Sequence, residues 1–129
     1  MPTIRKLIAV IDDDASVRKA LERQVTAAGY QARAFANAEA FLSVALSCGA
    51  ACVISDIHLG GLTGVELALH PIVTSLELPV ILISGQHDRL HDEPARVVAA
   101  AVLSKPIPPG QLLEAIVDTV GPPIADGED

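Results

Sequence analysis

Short apolar runs alternate along this chain with longer stretches of helical period. Leu7–Ile11, Gln31–Phe35, 52–55, 80–83 and 101–103 read as strands, the second weakly apolar and so nearer an edge. The first predicted helix spans about 15–28, with Val17, Leu21 and Val25 four apart on one face, and stops at Gly29. The second starts after Asn37 as N-cap, carries Phe41, Leu42, Ala45 and Leu46, and ends at Gly49. The third begins near Val65, and Pro71 is expected to kink or shorten it. The polar stretch 86–93 reads as a loop, and Pro94 then opens a short fourth helix over 94–100. Pro108-Pro109 introduce the fifth, with Leu112, Leu113, Ile116, Val117 and Val120 on its inner face. From residue 121 no core signal remains, so 1–120 reads as the domain and 121–129 as a disordered tail. Five strands alternating with five helices predict a doubly wound α/β fold on a parallel sheet.

Composition narrows the picture. The chain has 129 residues, one domain by size, and enough length to bury a sizeable core. Tyr30, Phe35 and Phe41 are its only aromatics, so Ala, Val, Leu and Ile must fill that core. A net charge of −7 with no basic run argues against nucleic acid or an anionic membrane surface as direct partner. No apolar run approaches the ~20 residues needed to cross a bilayer. The first apolar run is short and followed at once by three Asp, unlike a signal peptide, so a cytoplasmic location is expected. Cys48 and Cys52 lack the spacing of a zinc site and read as reduced, buried or half-buried thiols.

The candidate chemistry lies where the apolar runs end. Ile11 runs into Asp12-Asp13-Asp14, Ser55 into Asp56, Ile83 into Ser84-Gly85, and Ser104 into Lys105-Pro106. If the runs are neighbouring parallel strands, one sheet edge gathers carboxylates, a hydroxyl and an ammonium, and that edge is where open α/β sheets bind ligands. A strand-end carboxylate can accept a phosphoryl group when Mg²⁺ and a cationic side chain reduce the charge on that group. Asp56 stands alone before the Gly-bearing loop His58-Leu59-Gly60-Gly61-Leu62-Thr63-Gly64 and reads as the nucleophile. Asp12 and Asp13 read as metal ligands, Lys105 as the mobile ammonium and Ser84 as a hydrogen-bond donor to a phosphoryl oxygen. Each has a plainer reading: helix capping for the three Asp, a turn for Asp56, a loop hydroxyl for Ser84 and a solvated turn for Lys105-Pro106. Their joint placement after four separate strands favours the chemical one.

Val10-Ile11-Asp12-Asp13-Asp14, Ser55-Asp56-Ile57, Gly64-Val65-Glu66-Leu67, Ile83-Ser84-Gly85 and Ser104-Lys105-Pro106 together resemble a response-regulator receiver domain of two-component signalling. The resemblance reaches to about Val120. It implies a flavodoxin-like fold with strand order 2-1-3-4-5. It implies that Asp56 takes a phosphoryl group from a histidine kinase or phosphotransfer protein. Asp13, Asp56 and the backbone carbonyl of His58 would ligate Mg²⁺, with Asp12 acting through water. Ser84 and Lys105 would reorganise around the phosphoryl group and bias an output surface between two states, signalling to a downstream protein.

Several positions depart from the family pattern. Val102 stands where an aromatic rotamer switch is usual, and a valine cannot swing as a ring does. Gly60 replaces a frequent Pro. The segment between Ser84 and Lys105 is about one residue short, lacks the usual Gly before the fifth strand and carries Pro94, so the fourth helix is expected to be short or irregular. His58 reads as a solvent-facing loop residue, and His87 and His91 would pair on a metal only if helical. A dimer face on the fourth or fifth helix stays open. Two other functions compete: a phosphatase resembling the haloacid-dehalogenase superfamily, with Asp12 as nucleophile, and a degenerate receiver used only for docking.

Overall fold

The computed structural model of the chain describes residues 4–85 and 89–124. Its centre is a parallel sheet of order β2-β1-β3-β4-β5, formed by β1 Leu7–Ile11, β2 Gln31–Phe35, β3 Ala50–Asp56, β4 Val80–Ser84 and β5 Ala101–Ser104. The inner strands are apolar almost throughout because helices cover both faces. Alternate residues serve opposite sides. Ile8, Val10, Ile54, Ile81 and Ile83 pack with Leu21, Val25, Leu112 and Ile116. Ala9, Ile11, Val53 and Leu82 pack with Phe41, Leu67, Val73 and Ala95. Phe41 is fully buried and meets Phe35 edge-on at 5.4 Å. Cys52 is buried in the first of these clusters and burial pushes its thiol up to about 12, while the half-buried Cys48 packs against the second.

Seven helices are formed among the described residues, against the five expected. α1, Ala15–Ala27, agrees with its sequence pattern. The expected second helix is two: α2 Ala38–Leu42 and α3 Ala45–Cys48, because Val44 leaves helical geometry and turns against the core. Leu46, one of the apolar residues of the expected second helix, is 73% exposed. The third is also divided, into α4 Gly64–Leu69 and α5 Pro71–Ser75. Proline forces His70 into an extended conformation (ψ 138°), and His70 then caps α5, its Nδ1 accepting from Ile72 N–H at 3.1 Å. The fourth, expected over 94–100, is α6 Arg89–Val98, a longer helix that carries Pro94 inside it. The polar residues 89–93 belong to this helix rather than to a loop. The His87–His91 pairing lies outside the described side chains. α7, Gln111–Val120, buries Leu112 and Ile116 but leaves Leu113 42% and Val117 39% exposed.

The start of the expected tail is tied down. Tyr30 Oη donates to the Gly121 carbonyl at 2.7 Å, and Lys6 N–H to the Pro123 carbonyl at 2.8 Å. Arg5 bridges Ile124 antiparallel, and the Lys6 ammonium bonds the Val120 carbonyl at the end of α7. Residues 125–129 lie outside the described ones.

For the site, the register matters most. Ile11 stands opposite Ser55, Asp56 opposite Ile83, and Ser84 opposite Ser104. The polar residues that end β1, β3, β4 and β5 are thus level at one edge of the sheet.

Candidate functional site

Asp56 is the last residue of β3 and is 8% exposed. Lys105 Nζ lies 2.9 Å from its Oδ2, and His58 N–H donates to its Oδ1 at 3.1 Å. Lys105 is itself held in place by its backbone, whose N–H donates to the Ser84 carbonyl at 2.8 Å. Burial alone would lower the Lys105 pKa, but the hydrogen bond and charge of Asp56, with the charges of Asp12 and Asp14, hold it above the ordinary value. Ser84 is 2% exposed at the end of β4. Val102 faces Leu82 in the β4–β5 register and is half-buried against the core. His58 is exposed, as its loop position suggests.

The three consecutive Asp divide their work. Asp14 is the cap of α1: its Oδ1 accepts from Ser16 N–H at 2.9 Å, Ser16 Oγ at 2.7 Å and Val17 N–H at 3.3 Å. These bonds, that from the Ser16 hydroxyl foremost, lower its pKa. Asp12 is 1% exposed. Its backbone carbonyl accepts from Arg18 Nη1 at 2.8 Å and its Oδ1 from Asp14 N–H at 2.9 Å. Its Oδ2 is buried with no hydrogen-bond partner among the described residues. Burial raises the Asp12 pKa; the Asp14 N–H opposes this, and the charge of Asp56 adds to it. Asp13 is exposed beside it.

A buried carboxylate oxygen without a donor, within electrostatic reach of a second carboxylate, is an unfavourable arrangement unless a cation relieves it. Among the described residues no three His, Cys, Asp or Glu side chains converge as a ready-made cage. Magnesium does not need one: it binds through one or two carboxylates and keeps several waters. The donor set of hard oxygens fits Mg²⁺.

The raised Asp12 pKa has a measurable consequence in metal-free protein. Between the ordinary value of 3.8 and the raised one, the folded chain keeps a proton that the unfolded chain has lost. Stability therefore falls as pH rises through that window. Asp12→Asn keeps the acceptor for Asp14 N–H and removes the titration. Urea midpoints measured from pH 4 upward should decline more steeply for wild type than for this variant; parallel curves would refute the origin of the shift.

Comparison with known proteins agrees with this fold. The family model described as response regulator receiver domain matches residues 8–117. The transcriptional regulatory protein FixJ of Bradyrhizobium diazoefficiens is 31% identical over 119 residues, covering 92% of this chain and 58% of that protein. The C4-dicarboxylate transport transcriptional regulatory protein DctD of Pseudomonas aeruginosa is 32% identical over 110 residues, 84% of this chain and 24% of its own length. The chain thus spans little more than half of the first of these relatives and a quarter of the second. Full-length FixJ from B. japonicum superposes with a TM-score of 0.81 at 31% identity, covering 89% of this chain and 57% of that one. A response regulator receiver protein from Pseudomonas putida does so with a TM-score of 0.77 at 28% identity, over 89% of this chain and 98% of its own. With a family match over most of its length and the sheet order expected of that family, the chain belongs to the response-regulator receiver domains of two-component signalling.

Proposed function

We propose that Asp56 accepts a phosphoryl group from a phosphohistidine on a histidine kinase or phosphotransfer protein. The observation that carries this reading is the Lys105–Asp56 contact of 2.9 Å at the strand edge, with the unsatisfied Asp12 oxygen within electrostatic reach of the same carboxylate. In the transfer, an Asp56 carboxylate oxygen forms the new P–O bond as the P–N bond of the donor breaks. Asp12, Asp13, Asp56 and the His58 carbonyl would hold Mg²⁺, which supplies charge neutralisation at the phosphoryl oxygens. Lys105 shifts its ammonium from the carboxylate to the new phosphoryl group, and Ser84 donates to one of its oxygens. The result is a regulator rather than a turnover enzyme: the acyl phosphate changes the surface presented to a downstream protein. Which partner reads that surface depends on the rest of the system, since the transcriptional role of FixJ belongs to a longer protein.

The geometry disfavours Asp12 as nucleophile. Its Oδ1 is engaged by Asp14 N–H, it is 1% exposed, and the lysine bonds Asp56 instead. Treatment with acetyl phosphate and Mg²⁺, followed by mass spectrometry with the modified residue located, tests the reading. Label on Asp56 is expected. Label on Asp12 with turnover of phosphomonoesters would establish a phosphatase, and absence of label would leave a docking module.

A further inference from the structure

The loop after Asp56 has a firm base, and at its tip two glycines stand between Leu59 and Leu62, which pack against the core. At the base, Gly64 N–H donates to the Ile57 carbonyl at 2.8 Å, and Thr63 and Glu66 form a capping box at the start of α4. At the tip, Gly60 and Gly61 lack side chains that could pack, and glycine carries the largest conformational freedom to lose on ordering. A residue distant in sequence adds a polar restraint to this packing. Glu39 Oε2 accepts from Leu62 N–H at 3.1 Å. The same carboxylate lies flat against Gly61, where a Cβ would stand 2.3 Å from Oε2 and 2.9 Å from Oε1. Glu39 is fixed in turn by the first turn of α2, between the buried Ala38 and Phe41, with Asn37 Oδ1 accepting from Ala40 N–H at 2.7 Å.

We propose that Glu39 is a positioning residue for the phosphoacceptor site. It clasps the Gly60-Gly61 tip and so helps set the backbone of His58, whose N–H bonds Asp56 and whose carbonyl would be a magnesium ligand in the function proposed above. The clasp rests on the reading of Asp56 as phosphoacceptor. It acts through a hydrogen bond, so an uncharged acceptor of the same length can replace it, and it requires that position 61 have no side chain.

The test uses the full chain and Mg²⁺ alone, followed by the His58 amide in NMR titration, with acetyl phosphate labelling and thermal midpoints measured alongside. Glu39→Ala should raise the Mg²⁺ concentration at half-saturation about three- to tenfold, the range for losing one exposed hydrogen bond of ordinary strength. Glu39→Gln should restore it to within about twofold, since its amide oxygen still accepts from Leu62 N–H. Gly61→Ala should displace the carboxylate and reproduce the Glu39→Ala defect. The double variant should then be no worse than either single one, because both remove one interaction. An unchanged half-saturation in Glu39→Ala, a Gln variant as impaired as Ala, or additive single effects would each overturn the clasp. A wild type that binds Mg²⁺ but labels elsewhere than Asp56 would overturn the phosphoacceptor reading and this role together. Normal labelling of wild type with an unaffected Glu39→Ala would overturn this role alone.

Discussion

Asp56→Asn is expected to abolish labelling by acetyl phosphate while leaving the fold almost as stable as wild type. The substitution keeps the size and planarity of the side chain, and the amide oxygen still accepts from His58 N–H in place of Oδ1. What it removes is the charged oxygen that would form the P–O bond, and an amide nitrogen with a delocalised lone pair does not replace it. The cost to stability is small for two reasons. The Lys105–Asp56 pair is partly open to water, with side-chain exposures of 36% and 11%, so its contribution is about 0–1 kcal/mol. Loss of the Asp56 charge also relieves its repulsion of Asp12. Lys105 loses the partner that holds its pKa up, and an NMR titration of its side chain should show the fall. Intact-mass spectra and urea midpoints of the two proteins check the outcome together. Persistent label on the Asn variant would remove Asp56 from the chemistry, and a collapsed urea midpoint would make the test structural rather than chemical.

The strand edge is legible because strands buried on both faces stay apolar until their last residues, where polar side chains gather at the carboxyl ends. The transitions from Ile11 to Asp12 and from Ile83 to Ser84 mark that boundary in the sequence as they do in space. Helix limits were less visible. The break between α2 and α3 falls at Ser43-Val44, where no glycine or proline announces it. The start of α6 was hidden by its polar residues, and Pro94 looked like a first-turn proline when it stands within the helix. Capping is a reading open to all three adjacent Asp in the sequence; in space the bonds from Ser16 and Val17 assign it to Asp14, while Asp12 is buried. The contact of Glu39 with the loop spans 23 positions in sequence and ends on a backbone N–H, which no side-chain pattern encodes. Residues 121–124 were missed for the same reason, since Lys6 N–H and the Tyr30 hydroxyl bond backbone carbonyls there.

Among substitutions in the loop, Gly64→Ala should cost the most. Gly64 opens α4 with its amide on the Ile57 carbonyl and its Cα pressed into the end of β3. A Cβ there would lie 2.6 Å from the Asp56 carbonyl oxygen, 2.7 Å from Leu82 Cδ2 and 3.1 Å from Ile57 Cα. Two of these three atoms are backbone, so no rotamer change relieves the overlap. Either α4 moves off the sheet or the end of β3 yields, and overpacking of this kind costs about 2–3 kcal/mol. For a domain of this size that lowers Tm by on the order of 10 °C. The strain falls on the residue proposed to carry the phosphoryl group, so labelling should slow as well. Gly60→Ala is the control: a Cβ there meets nothing within 4 Å, and the change should stay within about 0.5 kcal/mol. Calorimetry on both variants, with labelling rates measured well below the lower Tm, separates the effects. If Gly64→Ala melts with Gly60→Ala and labels normally, the loop does not transmit packing strain to Asp56, and the close seating of α4 on β3 is not what sets that carboxylate in place.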